Sequence, residues 1–75
     1  MITLKIRKEE LLRLIQEKFR DNQAFFADEI GISREYVNRL INRDIDMIES
    51  SKLCNKLITY CVRKKIDYKD VIILQ

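Results

Sequence analysis

The single glycine of this 75-residue chain, Gly31, and the absence of proline limit most strongly what the chain can fold into. Folds rich in turns need glycine and proline at positions of special backbone geometry, so a chain with almost none of them favours helices joined by short connections. Apolar residues make up 47% of the sequence, which indicates a packed core and not a disordered tail. We therefore expect one all-α domain over residues 1–75.

Apolar residues recur at helical spacing in four segments. The predicted helices run from about Arg7 to Arg20, from Gln23 to Ile30, from just after Ser33 to Asn42 or Arg43, and from Ser50 or Ser51 to about Arg63. The expected buried positions are Leu11, Leu12, Ile15 and Phe19 in the first helix, and Leu53, Cys54, Leu57, Ile58 and Cys61 in the fourth. Residues 44–49 are predicted to be a turn or loop.

The two ends of the chain carry strand-like patterns. Residues 2–6 alternate apolar and polar side chains, and the run Val71–Ile73 is β-branched. These segments could pair as a short two-stranded ribbon, which is stable only when it packs on helices or on a second subunit. The alternative for the C-terminal segment is a fifth, short helical turn capped by Asp67.

Several classes of protein are disfavoured. The chain has no histidine, and Cys54 and Cys61 lie seven apart in one predicted helix, about 10 Å, which is too far for a disulfide. We expect two buried thiols, no metal, no cofactor and no enzymatic activity. No apolar run is long enough to cross a membrane, and residues 1–5 lead into charges instead of a secretory segment, so the expected location is the cytoplasm.

Residues 23–42 read as two short helices joined by a tight turn. Ala27 must be small because the helices cross closely there, and Gly31 must adopt a left-handed backbone that a side chain would penalise. The remaining apolar positions close a small core and tie the unit to the other helices: Phe26, Ile30, Val37 and Leu40.

This segment resembles the helix-turn-helix of the lambda repressor/Cro (XRE-like) family. The family pattern is a glutamine opening the second helix, an alanine and a glycine each four residues further on, then Ile-Ser and two aliphatics: here Gln23, Ala27, Gly31, Ile32, Ser33, Val37 and Leu40. The likeness extends to about residue 72, although only the central motif is specific. It implies a four- to five-helix lambda-repressor-like fold and a sequence-specific transcription regulator of phage or bacterial type, which binds double-stranded DNA. Because one short helix reads few base pairs, we also expect a homodimer on paired half-sites. Three places depart from the pattern: Phe25, Arg43 and the turn 64–67.

The outward residues of the third helix carry the functional prediction. With Val37, Leu40 and Ile41 facing inward, helical spacing turns four polar side chains outward: Arg34, Glu35, Asn38 and Arg39. Their side chains can pair with guanine, cytosine and adenine edges, and the resemblance places Arg34, Glu35 and Arg39 at the main base-reading positions, with Asn38 beside them. Gln23, Asn42 and Arg43 fall where the family contacts the DNA backbone. Ser33 and Tyr36 complete the predicted phosphate contacts.

The charge distribution leaves an alternative open. The net charge is +3, but residues 1–20, 21–48 and 49–75 carry +3, −3 and +3, so phosphate neutralisation would come partly from flanking bases such as Lys52 and Lys56. The acidic centre weakly supports a helical protein-interaction module, antitoxin-like or an antirepressor component. In that reading Phe25 and Tyr36 anchor a protein partner and DNA is incidental.

Overall fold

The computed structural model describes residues 3–74, which form four helices and three short strands. In chain order these elements are β1 (Leu4–Arg7), α1 (Lys8–Lys18), α2 (Gln23–Ile30), α3 (Arg34–Ile41), β2 (Met47–Ile48), α4 (Ser51–Lys64) and β3 (Ile72–Leu74). The mostly helical character is confirmed, whereas the all-α class leaves out a three-stranded sheet. Within residues 3–74 no helix has both the length and the apolar character needed to cross a membrane.

The sheet is built around β1, which pairs antiparallel with β2 on one side and with β3 on the other. This register places Ile6 between Ile48 and Ile72, and all three side chains are buried. A slip of one residue would turn Ile6 to the opposite face, so burial of this isoleucine row stabilises the observed register. β1 also contacts α1 and α4, and Ile6 belongs to the same buried core as Leu11 of α1 and Leu53 of α4.

The sheet confirms one sequence prediction and corrects another. The terminal segments do pair, through β1 and β3, although Ile2 of the predicted first strand lies outside the described residues. The predicted loop 44–49 was wrong at Met47–Ile48, which form β2. The proposed fifth helix does not form: Asp67 accepts a hydrogen bond from the backbone amide of Lys69 in a turn that precedes β3.

Three polar residues cap helices where the sequence predicted caps. The side chains of Asn22, Ser33 and Ser50 each accept a hydrogen bond from the backbone amide three residues further on, at 3.1, 3.5 and 3.2 Å. Each bond satisfies an amide that has no partner inside its own helix. The predicted starts of α2, α3 and α4 are therefore confirmed. α1 ends at Lys18, two residues earlier than predicted, and Arg20 then adopts a left-handed backbone.

Left-handed residues end two of the helices. Gly31 has φ +81°, and the backbone amides of Gly31 and Ile32 both donate to the carbonyl of Ala27, at 3.0 and 2.9 Å. A Cβ atom at Gly31 would have no non-neighbouring heavy atom of residues 3–74 within 4 Å, so only the backbone conformation requires glycine there. Lys65 ends α4 with φ 58°, a position where glycine or asparagine is usual.

The core confirms most predicted buried positions and corrects two. In α1 Leu14 is buried and Leu12 is 38% exposed, because Leu11, Leu14 and Ile15 form the inward stripe. In α4 Ile58 is only half-buried, whereas Tyr60, which was not among the expected buried positions, is buried. The expected small core of residues 23–42 is confirmed, since these side chains are all buried: Phe26, Ala27, Ile30, Val37 and Leu40.

Both cysteines are buried free thiols, as predicted. Burial raises the pKa of Cys54, against a smaller opposing effect of a backbone hydrogen bond at Ser50, and burial also raises the pKa of Cys61. Thiols in such surroundings are poor nucleophiles because the thiolate is disfavoured. Their role in this fold is packing.

Candidate nucleic-acid interface

The polar side of α3 is an exposed surface of one helix, and the packing of α3 on the core determines its direction. Val37, Leu40 and Ile41 are buried, while the other side is exposed and polar. At 100° per residue the exposed polar residues span an arc of about 140°. We call this arc the α3 face; its members are Arg34, Glu35, Asn38, Arg39 and Asn42. All four predicted base-reading residues lie on it.

Arg34, at the start of the α3 face, is held by a carboxylate from the preceding helix. Nε of Arg34 donates to Oδ1 of Asp28 at 3.2 Å, and Nη2 donates to Oδ2 at 2.6 Å. Asp28 lies in α2, so this two-bond ion pair crosses the turn at Gly31. The pair occupies the Nε/Nη2 edge of the guanidinium group, and the Nη1/Nη2 edge points away from Asp28.

The ion pair shifts the pKa values of the two groups in opposite directions, because it stabilises the charged form of each. The hydrogen bond from Arg34 is the main cause that lowers the pKa of the Asp28 carboxyl group, and it exceeds the opposing effect of desolvation. The same bond raises the pKa of Arg34. The side chains remain 65% and 54% exposed for Arg34 and Asp28, so solvent screens their attraction and the pair contributes little to folding stability.

Asn38 is oriented by a neighbour one turn further along the helix. Nδ2 of Asn42 donates to Oδ1 of Asn38 at 2.5 Å. The second lone pair of that oxygen and both amide hydrogens of Asn38 remain for another molecule. Glu35 and Arg39 are exposed and form no salt bridge or side-chain hydrogen bond with residues 3–74. Three members of the α3 face are thus held by side-chain hydrogen bonds, and Glu35 and Arg39 are not: the three are Arg34, Asn38 and Asn42.

Tyr36 lies between the α3 face and the core, and its hydroxyl group already has a partner. The hydroxyl is 2.6 Å from Oγ of Ser50, the cap of α4, and the two share a hydrogen bond. Nζ of Lys52 lies 5.3 Å from the centre of the Tyr36 ring, close enough for a cation–π contact. Tyr36 therefore links α3 to the start of α4 and places one flanking base beside α3.

The other predicted phosphate contacts are exposed at helix ends. Gln23 is the first residue of α2, Ser33 is the cap of α3, and Asn42 and Arg43 lie at the end of α3. Nζ of Lys8 donates to the backbone carbonyl of Arg43 at 2.6 Å, which ties the loop after α3 to the start of α1. The Arg43 side chain stays exposed. Contact of these residues with phosphate remains a prediction.

Phe25 lies against Phe19, the residue that ends α1. Its ring packs edge-on against Phe19 with 5.9 Å between ring centres, and 40% of the residue is exposed. Phe19 also contacts the rings of Phe26 and Tyr60, at 4.9 and 5.3 Å. Phe25 is therefore the solvent-facing member of an aromatic cluster.

A groove whose lining includes no residue of the α3 face lies elsewhere on the described part of the chain. Its walls come from α1, the loop 42–46 and the outer face of the sheet, and they include Leu12, Met47 and Ile73 among charges of both signs. Within residues 3–74 no three histidine, cysteine or acidic side chains converge as metal ligands. The α3 face is therefore the more specific candidate site.

No protein-family model, no curated protein and no solved structure matches this chain. The candidate interface therefore depends on the residues and contacts described above. Two contributors were not expected from the sequence: Asp28, which holds Arg34, and Ser50, which holds Tyr36. The sequence gives one signal for the pair of Asp28 and Arg34: the helix-turn-helix pattern places Asp28 six residues before Arg34, across the turn.

Proposed function

We propose that this chain is a sequence-specific DNA-binding transcription regulator of phage or bacterial type, with a lambda-repressor-like arrangement of its helices. In this proposal α3 enters the major groove of double-stranded DNA. The observation that carries the proposal is the α3 face, on the second helix of a unit joined at Gly31, with Arg34, Asn38 and Arg39 directed to solvent. A major groove about 12 Å wide admits such a helix.

The side chains of the α3 face match base edges in the major groove. The free Nη1/Nη2 edge of Arg34 can donate two hydrogen bonds to guanine, as can Arg39. Asn38 can pair with adenine while its oxygen still accepts from Asn42, because that oxygen has two lone pairs. Glu35 can accept a hydrogen bond from cytosine. In this proposal Gln23, Ser33, Asn42 and Arg43 contact phosphates at the two ends of the unit.

The contact of Lys52 with Tyr36 supports the electrostatic side of the proposal. Phosphate neutralisation needs bases from outside residues 21–48, which carry a net charge of −3. Lys52 belongs to the C-terminal part of the chain, yet its ammonium group lies over the ring of a residue in α3. One of the flanking bases is therefore adjacent to the candidate reading helix.

We further propose that the chain acts as a homodimer. One short helix reads few base pairs, and two-fold pairing on half-sites one helical turn apart multiplies both affinity and specificity. In residues 3–74 β3 pairs only with β1, and Leu74 on β3 is 67% exposed. Light scattering of the full chain should give the mass of a dimer, and Leu74→Lys should weaken it; a monomer at all micromolar concentrations would refute this part.

Selection of bound sites from random double-stranded DNA tests the proposed function directly. We expect inverted repeats, affinity that falls steeply with salt, and loss of sequence preference in Arg39→Ala. Arg63→Ala is the matched control because it removes the same charge from an exposed helical position about 16 Å along α4 from Lys52. This control should keep the preference. Failure to retain any DNA at low salt would refute DNA binding.

The second candidate function is the helical protein-interaction module. The partly exposed ring of Phe25 favours it, because an exposed aromatic side chain is a common anchor for a protein partner. Tyr36 supports it less well, since the residue is half-buried and its hydroxyl is bonded to Ser50. A tight protein complex that is lost in Phe25→Ala, together with no DNA binding at low salt, would favour this candidate over the first.

A further inference from the structure

The contact between Asp28 and Arg34 leaves one defined edge of the guanidinium group available. Asp28 accepts from Nε and Nη2, at 3.2 and 2.6 Å, so the remaining parallel donors are those of the Nη1/Nη2 edge. Two donors side by side are what guanine O6 and N7 require. The carboxylate thus orients Arg34 before any partner arrives.

We propose that Asp28 is a positioning residue that makes Arg34 selective for guanine, an inference that rests on the proposed DNA-binding function. Arginine has a long flexible side chain, and an unheld guanidinium group must lose rotational freedom when it binds. Arg34 is already restrained by two bonds to a residue on a different helix. Arg34 therefore loses less rotational freedom when it binds. The resulting gain in affinity applies only to bases whose acceptors match the Nη1/Nη2 edge.

A purely structural role explains Asp28 less well. Exposed ion pairs stabilise folds weakly, and both partners here are more than half exposed. A carboxylate beside a reading helix also repels phosphates, so its presence opposes sequence-independent binding. In this proposal Asp28 therefore lowers the sequence-independent affinity for DNA and raises the selectivity for guanine. These two effects can be measured separately.

The test compares Asp28→Ala with Glu29→Ala on DNA selected by the wild-type chain. Glu29 is the neighbouring exposed acid in α2 and forms no salt bridge with residues 3–74, so its removal changes the charge equally. Arg34→Ala first identifies the base pair that Arg34 reads. At that pair Asp28→Ala should lose roughly two- to fivefold of the preference for guanine, which is the most that an exposed ion pair can contribute to the roughly 5- to 150-fold of a two-bond contact. Glu29→Ala should keep it, and both variants should bind random-sequence DNA more tightly.

A charge-swapped variant tests whether the guanine preference depends on the arginine of α3 or on the ion pair itself. Asp28→Arg combined with Arg34→Asp restores an ion pair across the same turn but removes the arginine from α3. Its thermal unfolding should resemble that of the wild-type chain, while its guanine preference should be absent. Restored guanine preference in the swapped variant would overturn the proposal.

The positioning role of Asp28 and the DNA-binding function can be refuted separately. If Asp28→Ala keeps the guanine preference that Arg34→Ala loses, the positioning role is overturned while DNA binding stands. The same holds if Arg34→Ala changes no base preference. If the wild-type chain retains no DNA at low salt, the proposed function and the positioning role fall together.

Discussion

Replacing Tyr36 with phenylalanine removes the hydroxyl group that links α3 to the cap of α4. The hydroxyl lies 2.6 Å from Oγ of Ser50, which is buried and also accepts from the amide of Leu53 at 3.2 Å. Loss of one such bond costs about 0.5–1.5 kcal/mol of unfolding free energy. Ser50→Ala removes the same bond and also the helix cap, worth about 0.5–2 kcal/mol, so its cost should be about 1–3.5 kcal/mol.

The two substitutions should not add. Once Ser50 is alanine, the Tyr36 hydroxyl has lost its partner, and removing it costs little more. The double variant should therefore be about as stable as Ser50→Ala alone, with a coupling of about 0.5–1.5 kcal/mol between the two sites. In a domain of this size 1 kcal/mol corresponds to a change of about 4–8 °C in Tm.

Urea unfolding of the four chains, followed by circular dichroism, measures this coupling. Tyr68→Phe is the matched control because the Tyr68 hydroxyl forms no hydrogen bond with residues 3–74, and it should change the unfolding free energy by less than about 0.5 kcal/mol. Additive losses for Tyr36→Phe and Ser50→Ala, within about 0.3 kcal/mol, would show that the hydroxyl groups do not act as a pair. The proposed link between α3 and α4 would then be refuted.

Three further outcomes follow from backbone geometry and from the ion pair. Gly31→Ala should lower the free energy of unfolding in urea by about 1 kcal/mol, because alanine is disfavoured in the left-handed backbone while its methyl group meets open space. A loss above about 3 kcal/mol would contradict the conclusion that the methyl group meets no neighbour. Lys65→Gly should stabilise by up to about 1 kcal/mol, since φ is 58° there, and an unchanged urea midpoint would count against the strain. Because the pKa of Asp28 is lowered in the folded chain, its ionised carboxylate stabilises the fold above its ordinary pKa of 3.8. This stabilisation is lost as the pH falls through the folded-state pKa. Carboxyl NMR titration should show the pKa shift of Asp28 disappear in Arg34→Ala.

The parts of the fold that local chemistry determines could be predicted from the sequence. Asn22 and Ser33 cap helices through amides only three residues away, and Gly31 ends α2 through its own backbone. β2 could not be predicted in this way. Its two residues, Met47 and Ile48, form a strand only because β1, some forty positions earlier, supplies Ile6 as a partner.

The same difference between local and long-range contacts decides which parts of the candidate site could be predicted. The outward direction of Arg34, Asn38 and Arg39 follows from helical spacing and the inward aliphatics, so it could be predicted. The partners of Arg34 and Tyr36 could not, because they depend on how α2 and α4 cross α3 and on which rotamers those crossings allow. In the sequence, Asp28 is sufficiently explained as a solvent-exposed acid and Ser50 as a helix cap, so neither residue suggests a further partner.

The charge of the α3 face illustrates why contacts matter more than sums along the chain. Residues 21–48 carry −3, which weighs against DNA binding when taken as a block. Yet Asp28 is matched by Arg34, and three of the other acids line the groove against α1, where Arg7, Lys8 and Arg13 lie among them: Asp21, Asp44 and Asp46. On the α3 face Arg34 is offset by Asp28, which leaves Arg39 and the neighbouring Lys52 against the single acid Glu35. The local charge of the α3 face is therefore positive, and the salt dependence of DNA binding should report these few bases instead of the segment total.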